Sequence, residues 1–168
     1  FFLIVFLCNE NAESHGPSRQ KVSHKIEIDS DINNLWNIIK NFKEFQWNPE
    51  VKKSKAENNE IGSERTIEFK TGEVIVHKLE KKDDEKKMIG WRVIKTDNNI
   101  FPVNSYSAKI IIKEIGPGKS SVNYKAGFYR GFMGNDPPDE LNDENSKKKV
   151  SNFIKNSLNG LKKIAENN

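Results

Sequence analysis

His77 stands in "EVIVHKLEKKD" two residues from Ile75 and two from Leu79, so a strand places it on their apolar face, pointing inward. An inward imidazole is either a hydrogen-bonded core residue or a ligand or catalytic group. Arg65 shares a strand face with Ile67 and Phe69, and Arg92 shares one with Ile94. Both read as buried charges that need partners: anchors for a ligand, or halves of core salt bridges. Tyr106 and Tyr124 occupy alternating strand positions and offer a phenolic handle. Trp36, Trp47 and Trp91 supply wide apolar walls, suited to holding an apolar molecule by area or to filling a core.

These residues include no serine, cysteine or threonine set beside a base and an orienting group, so no nucleophilic constellation can be read from the sequence. "GEVIVHK" and "GPGK" contain glycine and lysine without the phosphate-loop pattern and read as turns. No carboxylate cluster has calcium-loop spacing, and no "CxxCH" haem motif occurs. His15, if it became a free N-terminus, would offer an amine and an imidazole to copper(II). His24 and His77 lack the spacing of co-ligands, so no metal and no cofactor is expected.

The elements that position these side chains follow from periodicity. "KVSHKIEID" alternates Val22, His24, Ile26 and Ile28 against polar residues, a half-buried strand. "SDINNLWNIIKNF" carries Ile32, Leu35, Trp36 and Ile39 at helical spacing, with Ser30 placed as N-cap. "KEFQWNPE" reads as a second short helix or turn stopped by Pro49. Six strands follow, separated at Asn58-Asn59, Thr71-Gly72, Asp83-Asp84, Asn98-Asn99 and "GPGKS", turns short enough to imply antiparallel hairpins. The last segment places Val150, Phe153, Ile154, Ser157, Leu158, Leu161, Ile164 and Ala165 on one face of a long helix, despite Gly160. The expected fold class is α+β: a curved seven-stranded antiparallel sheet around a long C-terminal helix, with two short helices after the first strand. A sheet curled round one helix leaves room for a cavity.

The 168 residues, 35% hydrophobic and 31% charged, make one ordinary domain with enough apolar content for a core. "FFLIVFLC" is too short to span a bilayer and reads, with the small residues Ala12 and Ser14, as the remnant of a secretory signal over 1–14. The mature domain would then run from 15 to 168 and be periplasmic. Loss of that segment removes Cys8, the one cysteine, and with it thiol and disulfide chemistry. It also removes Glu10 and Glu13, adding two to the formal charge of +4. The basic residues are interspersed with acids and lack a basic-aromatic stripe, which disfavours nucleic acid and favours an acidic protein partner.

"AGFYRGFMGNDPPDELNDE" runs from strand into loop. Ala126 to Phe128 belong to the fold. Tyr129, Arg130, Phe132 and Met133 are types enriched at interface centres, and Asn135, Asp136, Pro137 and Pro138 form a stiff loop beside them. This stretch is the candidate partner-binding segment.

Four segments resemble the START/Bet v1-like superfamily and its polyketide-cyclase/dehydrase-like branch: Leu35-Trp36 in the first helix, Trp47-Asn48-Pro49 after it, Gly72 followed by His77-Lys78-Leu79, and Phe101-Pro102-Val103-Asn104-Ser105-Tyr106. The resemblance covers about residues 20 to 166 and implies a helix-grip fold with a hydrophobic cavity. Asn48 stands where that family often has histidine and His77 where it often has glutamate, which weakens any catalytic assignment. "HGPSRQKV" and "FYRGFMGNDPPDELNDE" further resemble the MxaD-type family, exported proteins encoded with methanol-oxidation machinery. That resemblance implies a non-enzymatic periplasmic accessory that helps methanol dehydrogenase work with its cytochrome c. A carrier or sensor of a small apolar ligand, and a polyketide cyclase/dehydratase-like enzyme, are the alternatives.

Overall fold

The computed structural model describes residues 16–167; residues 1–14, expected to be a signal remnant, and His15 lie outside the described residues. The chain runs β1 (Gln20–Ile28), α1 (Ile32–Ile39), β2 (Val51–Ala56), β3 (Glu64–Phe69), β4 (Val74–Asp83), β5 (Met88–Lys95), β6 (Val103–Gly116), β7 (Lys119–Arg130) and α2 (Asp143–Glu166), with a 3-10 turn at Asp139–Leu141. The strands form one seven-stranded sheet in the order β1-β7-β6-β5-β4-β3-β2, every pair antiparallel. β1 forms one edge of the sheet by pairing with β7, and α2 runs alongside it, with Asp143 at Gln20 and Glu166 at Asp29.

This is the START/Bet v1-like helix-grip fold, and its layout follows the residue pattern. Each central strand gives one apolar face to the helix: Ile75, His77 and Leu79 from β4; Ile89 and Trp91 from β5; Tyr106, Ala108, Ile110 and Ile112 from β6; Val122, Tyr124, Ala126 and Phe128 from β7. α2 answers with Val150, Phe153, Ile154, Leu158, Leu161 and Ala165, while Ile164 lies at the edge of the stripe and is exposed. Burying each large aliphatic or aromatic side chain stabilises by about 1.5–3 kcal/mol, which makes this sheet-helix seam the dominant stabilising contact.

Two local expectations are corrected. Asp31, not Ser30, caps α1: its carboxylate accepts from the amides of Asn33 at 2.7 Å and Asn34 at 3.4 Å. Ser30 instead accepts from Asn34 Nδ2 through its hydroxyl and from Ser120 Oγ through its carbonyl, tying the helix entry to β7. The second short helix is absent, and residues 41–50 form successive turns. Pro49 has no amide to donate, and Asn48 spends its side chain on other backbone and hydroxyl groups, so a helix cannot propagate there.

Candidate functional site

Phe45, at the centre of the 41–50 turns, is the hub of a buried aromatic and basic cluster. Its ring centroid lies 4.4 Å from Trp47, 5.9 Å from His77, 6.3 Å from Trp91 and 5.8 Å from Phe153 of α2. Arg65 enters from β3, with its guanidinium carbon 4.1 Å from the Phe42 ring centroid and 4.3 Å from that of Phe45. Such cation–π contacts stabilise a desolvated guanidinium. Arg65 Nη1 donates to the Phe42 carbonyl at 2.9 Å, and Nη2 lies 2.9 Å from His77 Nδ1, its cross-strand partner in the β3–β4 register.

That last contact determines the imidazole. A guanidinium only donates, so Nδ1 accepts and the proton of neutral His77 sits on Nε2. Burial first, and the Arg65 charge second, hold His77 well below its ordinary pKa. Burial also lowers Arg65 to about 9, and it remains a cation at neutral pH. No ion pair to a carboxylate is formed by Arg65 among the described residues. Four buried nitrogens in the cluster find no protein acceptor there: Trp47 Nε1, Arg65 Nε, His77 Nε2 and Trp91 Nε1. Each is an N–H donor, so the cluster gathers unpaired donors around a guanidinium that lacks a carboxylate partner among the described residues. Leaving such donors unpaired is costly, at about 1–3 kcal/mol each.

The remaining sequence candidates fall elsewhere. Tyr124 touches Trp91 edge to face at 5.5 Å, and its hydroxyl lies 3.5 Å from that of Tyr106, forming the wall behind the cluster. Burial raises the pKa of both phenols, so both stay protonated. Trp36 serves the opposite end of the core: its Nε1 donates to Asp84 in the β4–β5 turn at 2.7 Å. Arg92 corrects the expectation of a buried charge. It is 51% exposed on the outer face, paired with Glu80 at 3.2 Å. Trp91 takes the inward position, and adjacent strand residues point to opposite faces.

Between α2 and the β3–β4 hairpin a cleft of about 340 Å³ is floored by Phe69, Phe101 and Phe153 and rimmed by Lys70 and Lys149. Phe153 stands between this cleft and Phe45, with centroid distances of 5.2 Å to Phe101 and 6.1 Å to Phe69. The cleft is thus separated from the donor cluster by one layer of rings.

Asn48 was noted in the sequence only as a departure from a family pattern. It is fully buried, donates to Ser157 Oγ of α2 at 2.7 Å and accepts from the Glu50 amide at 2.9 Å. With the Trp47 carbonyl lying on Gly160, this bond seats the turns on α2 and holds Phe45 and Trp47 in place. Neither partner announces the contact, because 109 residues separate them.

The segment after β7 is a second built feature. Arg130 corrects the expectation that it meets a partner, being 6% exposed. Its Nε donates to the Phe132 carbonyl at 2.8 Å, its Nη2 to the Gly134 carbonyl at 2.6 Å, and its Nη1 pairs with Asp143 at 3.1 Å. Asn104 Nδ2 donates to the carbonyls of Arg130 and Gly131 from the neighbouring strand. Around this clamp Phe132 is 37% and Met133 52% exposed, and Asn135, Asp136 and Pro138 face solvent, with Pro137 partly covered. Tyr129 lies on the outer face, beside Arg19 at 5.6 Å.

Residues 19–166 match the protein family described as "Polyketide cyclase / dehydrase and lipid transport". No curated protein matches the sequence. Solved structures share the fold. A Bacillus thuringiensis protein of unknown character superposes with a TM-score of 0.73 and 22% identity, over 86% of this chain and 98% of that one. A START superfamily protein from Mycobacterium smegmatis gives 0.70 and 14%, over 88% and 97%. Norcoclaurine synthase from Thalictrum flavum, in complex with dopamine and hydroxybenzaldehyde, gives 0.66 and 12%, over 97% and 96%.

Proposed function

The chain belongs to the polyketide cyclase / dehydrase and lipid transport family, and on that premise we propose that it is a non-enzymatic exported accessory protein of methanol oxidation. In this reading it docks onto methanol dehydrogenase or its cytochrome c through Tyr129 to Pro138. The observation that carries the proposal is the Arg130 clamp. The three nitrogens of one buried guanidinium, one of them ion-paired with Asp143, hold a loop whose members Phe132 and Met133 are exposed and lie outside the core. A preformed loop loses little entropy on binding, and apolar side chains held outward are the type that anchor an interface. The similarity of "FYRGFMGNDPPDELNDE" to MxaD-type proteins supplies the partner. The state of His77 supports a role without catalysis. Its Nδ1 lone pair is taken by Arg65, and its depressed pKa leaves no imidazolium proton to transfer near neutrality. Immobilised methanol dehydrogenase and cytochrome c, probed with wild-type protein and the Phe132→Ser/Met133→Ser variant, test the proposal. Binding to one of them at low ionic strength, lost in the variant, is the expected result; binding to neither refutes it.

A second reading is favoured by the four buried, unpaired donors: a carrier of a small, largely apolar molecule bearing a hydrogen-bond acceptor. Displacement of the Phe153 ring would join the cleft to the cluster, where Arg65 supplies the charge and Trp47, Trp91 and His77 the donors. Native mass spectrometry of the protein purified without denaturation reads this directly, and a bare chain mass counts against it. A cyclase-like enzyme has the same cluster available but would require a base, which His77 in its present bonding does not provide.

A further inference from the structure

We propose that the outer face of the sheet, opposite α2, binds an acidic polypeptide segment in a lysine-lined groove. The register of four strand pairs builds it. One row across the sheet reads Lys21, Gly127, Ser107, Arg92; the next reads Ser23, Lys125, Lys109, Gly90, Lys81. Gly127 and Gly90 carry no side chain in these rows, and the surface is recessed into a groove of about 500 Å³, with the Arg19 guanidinium lying over Gly127. Its walls hold five cations, Arg19, Lys21, Lys81, Lys109 and Lys125, against the single carboxylate of Glu80. Glu80 is already paired with Arg92.

Charge is concentrated here at a cost to the isolated protein. Lys109 and Lys125 are directly opposed across β6 and β7, where like charges destabilise a sheet. Neither forms an ion pair among the described residues, nor do Lys21 and Lys81. Elsewhere on the surface lysines do find carboxylates, as Lys52 does with Glu68 and Lys119 with Glu27. A carboxylate-bearing partner would relieve this repulsion, and complementary charge would speed its arrival.

The occupant is argued from the floor. It offers backbone, glycine and the Ser107 hydroxyl, which suit an extended peptide with acidic side chains. A single-stranded nucleic acid would want rings to stack on; Tyr129, at the rim, is already covered by Arg19, which also donates to Ser107 at 3.2 Å. The groove is continuous with the docking loop, since Tyr129 follows Lys125 and Gly127 on the same face of β7. One partner would therefore reach both, and the identity of that partner rests on the accessory reading while the groove chemistry does not.

The test uses a fluorescein-labelled poly-glutamate peptide and fluorescence anisotropy at low ionic strength. Wild-type protein should bind it, and Lys109→Gln/Lys125→Gln should weaken binding about ten-fold. Lys147→Gln/Lys148→Gln, which removes the same charge from the exposed side of α2, should leave it unchanged. The groove variant should unfold no earlier than wild type, because a repulsive pair is gone. No peptide binding, equal weakening in both variants, or tighter binding of oligo-dT or of phosphatidylglycerol vesicles overturns the proposal. Phe132→Ser/Met133→Ser should retain full peptide binding, so failure of the docking loop and failure of the groove give different results.

Discussion

The carbonyl oxygen of Trp47 lies over Gly160 of α2 so closely that a β-carbon at Gly160 would stand 1.8 Å from it. A glycine inside a 24-residue helix weakens the helix by about 1 kcal/mol relative to alanine. Here it is the condition for seating the 41–50 turns, and hence Phe45 and Trp47, on the helix.

Gly160→Ala should therefore destabilise the protein by about 3 kcal/mol, against the stabilisation expected at an ordinary helix position. Chemical denaturation measures it. A midpoint equal to or above wild type would show that the turns can move away from α2 without loss. Ser157→Ala, which leaves the buried Asn48 Nδ2 only a long contact of 3.5 Å to the Phe153 carbonyl, should cost about 1–3 kcal/mol by the same measurement.

Stability should fall in mild acid. Because the folded pKa of His77 is well below its ordinary value, the unfolded chain binds more protons over that interval, and stability rises with pH. The contribution is complete above pH ~6.5 and is lost as pH drops, by up to about 1.4 kcal/mol per pH unit, until the folded imidazole titrates. His24 shifts in the same direction, through burial and then Lys155. His77→Asn keeps an acceptor for Arg65 and removes the titration. Its denaturation midpoint should change less between pH 7 and pH 5 than that of wild type, and parallel curves would assign the acid sensitivity elsewhere.

Arg130→Ala should loosen the 131–136 loop and leave Asp143 without its guanidinium, at a cost of about 3 kcal/mol. Arg130→Lys should rescue little, since one ammonium cannot reach the Phe132 and Gly134 carbonyls and Asp143 together. Amide hydrogen exchange over 131–136 reads the loop directly. If exchange there is unchanged in Arg130→Ala, the clamp does not order the loop, and the docking proposal loses its main support.

On immobilised methanol dehydrogenase and cytochrome c, the proposed partners, the loop variant and the groove variant should act differently. Phe132→Ser/Met133→Ser removes short-range anchors and should speed dissociation. Lys109→Gln/Lys125→Gln removes long-range attraction and should slow association, with a weaker salt dependence. Identical kinetic changes in both would mean that the two surfaces do not have separate roles.

The order of the strands and of the long helix, the inward faces of β1 and β4 and the apolar stripe of α2 were legible in the sequence, because alternation and helical spacing are local and repeat many times. The burial of Arg130 had a signal too: Ala126, Phe128 and Arg130 continue one face of β7. Arg92 was misplaced because "WRVIK" alternates apolar residues on both faces, Trp91 with Val93 and Arg92 with Ile94, and only pairing with β4 and β6 selects one.

The helix-grip frame, and the set of residues able to do chemistry within it, are encoded locally. Local periodicity and turn chemistry suffice for that, since each element must bury one face wherever it packs. Tertiary structure alone decided which of those residues meet. Arg65 reaches His77 through strand register, Asn48 reaches Ser157 and Trp47 reaches Gly160 through packing across more than a hundred residues, and Lys109 faces Lys125 through pairing of two strands. The Asn48–Ser157 and Trp47–Gly160 contacts depend on the closure of long loops by the whole core, while the two hairpin contacts depend on a pairing register that a one-residue slip would undo.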